Sequence, residues 1–217
     1  VYLKNYYEVP FQNDVLQNIK VYGLADAVRR AKYPMSADVQ ALNSDLTPGI
    51  QKLACAEPGG GHDHWLCGVN VQFDLTFTVK AWTEAERYNW FDIVSSQSTM
   101  HRITRFDLDK AYIGYVDPRI VAVMKEKVDA YNRLVEDFNS GLLPDPAEAK
   151  RRQNDLYLQI LYSNPTGFRL TAGMTTNYLQ LKTIYRQRAG HRLPEWAALR
   201  DGIRALPHSE LITAEAL

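Results

Sequence analysis

Two stretches of the sequence carry residue types able to hold and polarise an anionic or flat aromatic ligand. The first is Gln97-Ser98-Thr99-Met100-His101-Arg102, with Arg105 shortly after it. If a helix starts at Thr83, then Trp90, Val94, Gln97 and His101 share one face, apolar first and polar at its end. Three basic-capable groups at a helix end can hold an anion. They equally complement the C-terminal end of the helix dipole. The second stretch is Asn177 to Arg188. There Asn177, Leu181, Ile184 and Arg188 fall on one face of a helix expected over 175–189. At ~1.5 Å per residue its polar ends lie roughly 16 Å apart. Such a face can line an elongated site, with an amide at one end and a cation at the other. An amphipathic helix with polar ends explains the same spacing.

Other constellations point less far. His62-Asp63-His64 lies between Cys55 and Cys67, but the spacings match no usual zinc-ligand pair, and no metal is expected. The glycine-rich loop there could instead lie over a ligand. Gly59-Gly60-Gly61 is not followed by a helix opening with Lys-Ser or Lys-Thr, so a phosphate loop of that type is not expected. Ala149-Lys150-Arg151-Arg152 reads as a solvated helix face, and no Gly-x-Ser-x-Gly elbow occurs. Lys+Arg and Asp+Glu both number 25, giving a formal net charge of zero. Thirteen tyrosines could stack bases, but this balance argues against a nucleic-acid binder.

The elements that must position these residues follow from patterning. Val71, Phe73, Leu75, Phe77 and Val79 alternate with polar residues, which predicts a strand with one buried face. A second strand is expected over 1–9, ended by Pro10. Val15, Ile19, Tyr22, Ala25 and Val28 predict helix over 13–33, broken near Gly23. Further helix is expected over 36–56, interrupted near Thr47-Pro48-Gly49. Thr83 and Glu86 form a capping box that predicts a helix to about Met100. Asp117-Pro118 opens another, with Val121, Met124, Val128, Tyr131, Leu134, Val135 and Phe138 as its apolar stripe. A basic helix over 147–162, a turn at Asn164-Pro165-Thr166-Gly167, a short extended piece over 170–173, the helix over 175–189 and a last helix from Pro194 to about Leu206 complete the chain. Regular strand–helix alternation is absent, so a doubly wound sheet is not expected. With 217 residues, 46% of them hydrophobic, the chain is expected to form one domain over 1–217. Two cysteines and no apolar run near ~20 residues predict a cytoplasmic protein without a membrane span.

These residues carry a resemblance. Phe73-Asp74-Leu75-Thr76-Phe77-Thr78-Val79 resembles the strand before the signature helix of the flavin-dependent thymidylate synthases. That signature is an Arg-His-Arg triplet with Gln three residues before it. Here Gln97, His101 and Arg102 match, and Met100 replaces the first Arg. Pro165, Asn177, Arg188 and Trp196 stand at the family's C-terminal spacings. The segment from Gly23 to Tyr33 is similar to the family's early helix, with Arg29 or Arg30 as its arginine. The resemblance implies an α+β fold, a small, mostly antiparallel sheet packed with several long helices. It also implies FAD as cofactor, with NADPH and methylenetetrahydrofolate as co-substrates, and reductive transfer of a one-carbon unit to C5 of a deoxyuridine nucleotide such as dUMP. By resemblance His101, Arg102 and Asn177 face the flavin. Arg188 acts on the pyrimidine, with Gln97, Arg105 and Lys110 also on the substrate side. The family is homotetrameric, with sites shared between subunits.

The departures matter as much. The signature's next Ser is Arg105, the later Ser falls at Lys110, and the Arg after it at Tyr112. The phosphate-holding Arg before Pro165 falls at Leu161, and the His before the strand at Gln72. Two lost cations cost phosphate binding several kcal/mol unless replaced. Arg105 and Lys110 are the expected replacements. The alternative is a divergent, non-catalytic protein of the same fold that binds a nucleotide or flavin. The product could also differ, for example a hydroxymethyl group.

Overall fold

The computed structural model describes residues 3–57 and 59–214. Val1 and Tyr2 of the first expected strand, and Pro58 of the glycine-rich turn, lie outside them. Five strands, β1 (Tyr6–Val9), β2 (Leu16–Tyr22), β3 (Asn70–Thr78), β4 (Asp92–Ser96) and β5 (Arg169–Asn177), form one sheet in the order β1-β2-β3-β5-β4. The β1–β2 and β2–β3 pairs are antiparallel. The helices among the described residues are α1 (Leu24–Ala31), α2 (Pro48–Ala54), α3 (Val79–Ala85), α4 (Thr99–Arg102), α5 (Pro118–Asn139), α6 (Pro146–Ser163), α7 (Tyr178–Gln187), α8 (Pro194–Arg204) and α9 (Glu210–Thr213). This is the α+β architecture expected. The chain divides into two compact units. One comprises 1–76, 83–95 and 171–217, and the other 77–82 and 96–170.

In the first unit, strand β3 keeps its alternation, with Val71, Phe73 and Leu75 buried. Residues 16–22 are a strand, where helix was expected. A β-bulge explains the misreading. Register shifts between Gln17 and Lys20, and Asn18 takes φ 53°. Val15 and Ile19, four residues apart, are therefore both buried, which mimics a helical repeat. Gly23 then starts α1 at φ 79°, and a Cβ there would lie 2.9 Å from the Gly68 carbonyl oxygen. Only glycine fits both the torsion and the approach. Of the helix expected over 36–56, only α2 forms. Ser36, Asp38 and Asn43 accept hydrogen bonds from Asp38, Gln40 and Asp45 amides, which offers the backbone a substitute for helix. Thr47 caps α2 at Ile50 N, 3.4 Å. Helix α8 lies tightly on β2, since a Cβ on Gly202 would meet Leu16 Cδ2 at 2.1 Å.

The second unit is built on a helical hairpin. Asp117 and Asp145 cap α5 and α6, each followed by Pro at the first helical position. Met124, Val128 and Ile160 bury with Ile103, Leu108, Ala111 and Phe168 in one core.

Candidate functional site

The helix expected from Thr83 to Met100 does not exist. Helix α3 starts earlier, at Val79, and ends at Ala85. Trp90 then takes φ 61°, and Asp92–Ser96 is the edge strand β4. β-Branched Ile93 and Val94 favour the pleated edge over a helix. The helical face of Trp90, Val94, Gln97 and His101 is therefore a coincidence of spacing. Gln97 sits just after β4, while His101 and Arg102 lie on the single turn α4 in the second unit.

His101, Arg102 and Arg105 are exposed there, and their side chains make no hydrogen bond or ion pair to the described residues. Tyr157 Oη donates to the Met100 carbonyl at 3.0 Å and pins this turn to α6. Burial raises the Tyr157 pKa, and the neighbouring Arg102 charge partly opposes that. Lys110 is already engaged. Its Nζ lies 2.9 Å from Asp107 Oδ2, and this hydrogen bond holds Asp107 below the usual carboxylate range and Lys110 above its own. The two positions where the resemblance expects arginines are packing positions. Leu161 and Tyr112 lie against the core of this unit, and Tyr112 Oη donates to Asn164 Oδ1 at 2.9 Å.

The first unit holds the other residues, on the two ends of α7. Asn177 is the cap: its side-chain oxygen accepts from Gln180 N at 2.9 Å, so its amide nitrogen is the part left as a donor. Leu181 and Ile184, expected on a site face, are core residues. Lys182 is buried too. Its Nζ donates to Asp63 Oδ2 at 2.6 Å and to the Ala54 and Ala56 carbonyls at 2.7 Å. That fastens the loop holding His62 and His64 onto α7. Among the described residues no three His, Cys, Asp or Glu side chains converge as metal ligands would.

Arg188 closes α7 and is caged. Nε donates to Tyr88 Oη at 2.7 Å, Nη1 to Glu84 Oε2 at 2.9 Å, and Nη2 to the Glu84 carbonyl at 3.4 Å. Its guanidinium carbon stands 4.1 Å from the Trp196 ring centre and 5.1 Å from that of Tyr88. His191 Nε2 approaches the same Glu84 oxygen at 3.1 Å. Arg188 also borders an open groove of about 500 Å³, shared with Arg87, Tyr88, Asn89, Gln180, Thr183 and Gln187. Beside the charged Arg87, the three carboxamides of Asn89, Gln180 and Gln187 on that wall can donate and accept without net charge. Such a set suits the edge of a flat heterocycle, where carbonyls and ring nitrogens alternate. Reading from the sequence missed Glu84, Tyr88 and His191, and it missed the stripe Gln180, Thr183, Gln187. The stripe's i, i+3, i+7 spacing was the signal that could have found it.

The fold is that of the flavin-dependent thymidylate synthases. A crystal structure of flavin-dependent thymidylate synthase ThyX from Helicobacter pylori, complexed with FAD and dUMP, superposes with a TM-score of 0.58 at 15% identity, over 90% of this chain and 95% of that one. A second structure of that enzyme with FAD and dUMP gives 0.57 at 14% identity, over 90% and 94%. A UMP/dUMP methylase, PolB from Streptomyces cacaoi bound with 5-Br dUMP, gives 0.52 at 14%, over 92% and 94%. No protein-family model and no curated protein sequence matches the chain. Among the described residues no helix is long and apolar enough to cross a membrane.

Proposed function

We propose that this chain is a flavin-dependent enzyme of the thymidylate synthase type, which transfers a one-carbon unit reductively to C5 of a deoxyuridine nucleotide. In this reading the 217 residues act as one domain of a cytoplasmic homotetramer. NADPH and methylenetetrahydrofolate are the co-substrates. Apolar Trp90, Ile93 and Val94, exposed at the β4 edge, support the assembly.

The observation that carries the proposal is Arg188, held 4.1 Å from the Trp196 ring centre at the rim of a groove that it shares with Arg87 and with the neutral hydrogen-bonding groups of Asn89, Gln180, Thr183 and Gln187. Arg188 polarises the pyrimidine carbonyl edge, and it cannot lose its proton while doing so. Asn177 offers its amide N–H to the flavin, and His101 and Arg102 supply positive or hydrogen-bonding groups to it. The exposed side chains of His101, Arg102 and Arg105, without a hydrogen-bond or ion-pair partner among the described residues, can meet an anion. Gln97, Arg105 and Lys110 serve the nucleotide, with Lys110 exchanging Asp107 for phosphate. FAD supplies the hydride chemistry that no side chain can. Tritium release from C5-labelled dUMP tests the reaction, with FAD, NADPH and methylenetetrahydrofolate present. Release well above a heat-killed control is expected.

A second reading keeps the binding and drops the chemistry. It is favoured by exposed Met100 in place of an arginine and by the packed Leu161 and Tyr112. Release at the level of the control, with nucleotide still bound, would establish that reading.

A further inference from the structure

We infer that Glu84 is a positioning residue that cancels the charge of Arg188 and so makes this end of the groove select an uncharged pyrimidine ring. This rests on the nucleotide reading above.

Glu84 sits in the last turn of α3, where the helix dipole disfavours a carboxylate. A local conflict of this kind needs compensation, and two groups from beyond α7 and its end provide it. Arg188 Nη1 and His191 Nε2 converge on one oxygen, Oε2, at 2.9 and 3.1 Å. The Arg188 and Glu84 side chains are 13% and 16% exposed, so solvent screens the pair weakly. The His191 protonation state follows from geometry. The Leu193 amide donates to His191 Nδ1 at 3.2 Å, so Nδ1 must present a lone pair. The ring proton is then on Nε2 and points at Glu84. Of these three side chains, Arg188 brings one positive charge, Glu84 one negative charge, and His191 a neutral imidazole.

Two consequences follow. Three of the five N–H donors of Arg188 are committed, which leaves a fixed pair for a ligand carbonyl rather than a mobile cation. A ring that has lost its N3 proton would meet, at Arg188, a cation whose charge Glu84 already balances from behind the groove wall. Arg87, exposed on the same groove, lies outside this balance.

The test compares two ligands bearing the same phosphate. One is dUMP, whose ring is neutral at neutral pH. The other is 5-nitro-dUMP, whose nitro group ionises N3 there. Wild-type protein is expected to prefer dUMP, and Glu84→Gln to lower that preference at least tenfold. Gln keeps the shape and removes the negative charge, so a purely structural role predicts an equal change for both ligands. An unchanged ratio overturns the inference. The second readout needs no ligand. Nitrogen-15 chemical shifts of the His191 ring in wild-type protein should report a neutral ring protonated at Nε2. An imidazolium, or a proton on Nδ1, overturns the inference even if Glu84→Gln does not fold. Failure of wild-type protein to bind either nucleotide, with the His191 ring as expected, would instead overturn the nucleotide reading and the ring selectivity built on it.

Discussion

The cations of α7 and those around α4 are held in opposite ways. Lys182 and Arg188 each meet a carboxylate in a largely buried setting, while His101, Arg102 and Arg105 stand exposed without a partner among the described residues. The difference separates two uses of positive charge. A caged cation contributes position, since its charge is already balanced and its donors are fixed. An exposed cation contributes charge, is screened by salt, and costs little to remove.

The contrast breaks most sharply at Lys182. Replacing it with alanine leaves Asp63 and two carbonyls buried without their donor, so Lys182→Ala should lower stability by about 3–5 kcal/mol in urea unfolding. Arg102→Ala should leave stability within about 0.5 kcal/mol. Equal losses would contradict the distinction.

Next in size is the seat of α8, which brings Trp196 against Arg188. Gly202→Ala pushes a methyl onto buried Leu16 and should cost about 1–3 kcal/mol in the same experiment. Stability equal to wild type would mean that the α8–β2 packing is looser than the 2.1 Å approach states.

Arg188→Lys keeps the charge and loses the planar fork. Nucleotide affinity measured by calorimetry should fall roughly 10- to 100-fold. Arg102→Ala should weaken binding by about threefold to tenfold at low salt, with the loss shrinking as salt rises. If Arg188→Lys binds like wild type, position is not what the cage provides.

The smallest expected effect is alkaline. Burial pushes the Tyr112 hydroxyl from the ordinary 10.0 up to about 12. The folded state thus favours the neutral phenol. This contribution is complete below pH 10 and is lost as pH rises through about 12. Stability of Tyr112→Phe should fall less steeply than wild type over that window.

Legibility in the sequence followed how local each cause was. Strand β3 alternates cleanly, and α5 announces itself by its Asp cap and Pro at the first position, so both were readable. Strand β2 was not, because one bulged residue at Asn18 turned its alternation into a helical rhythm. The segment 83–100 was misread because the capping-box pattern of Thr83 and Glu86, which falls at the end of α3 rather than at a helix start, outweighed the β-branched Ile93 and Val94. Within the site, Asn177 and Arg188 were found because they bracket one helix. Glu84, Tyr88 and His191 reach Arg188 across long sequence separations or a turn, which no spacing rule encodes. The fate of Leu161 and Tyr112 as core residues likewise depends on α5 and α6 coming together.

The central claim is tested most directly by what purified protein carries. Denaturing it and recording a mass spectrum of the released small molecules should give FAD, and the native protein should absorb near ~450 nm, as bound flavin does. A colourless protein that releases no flavin and takes up none when FAD is added would contradict the account.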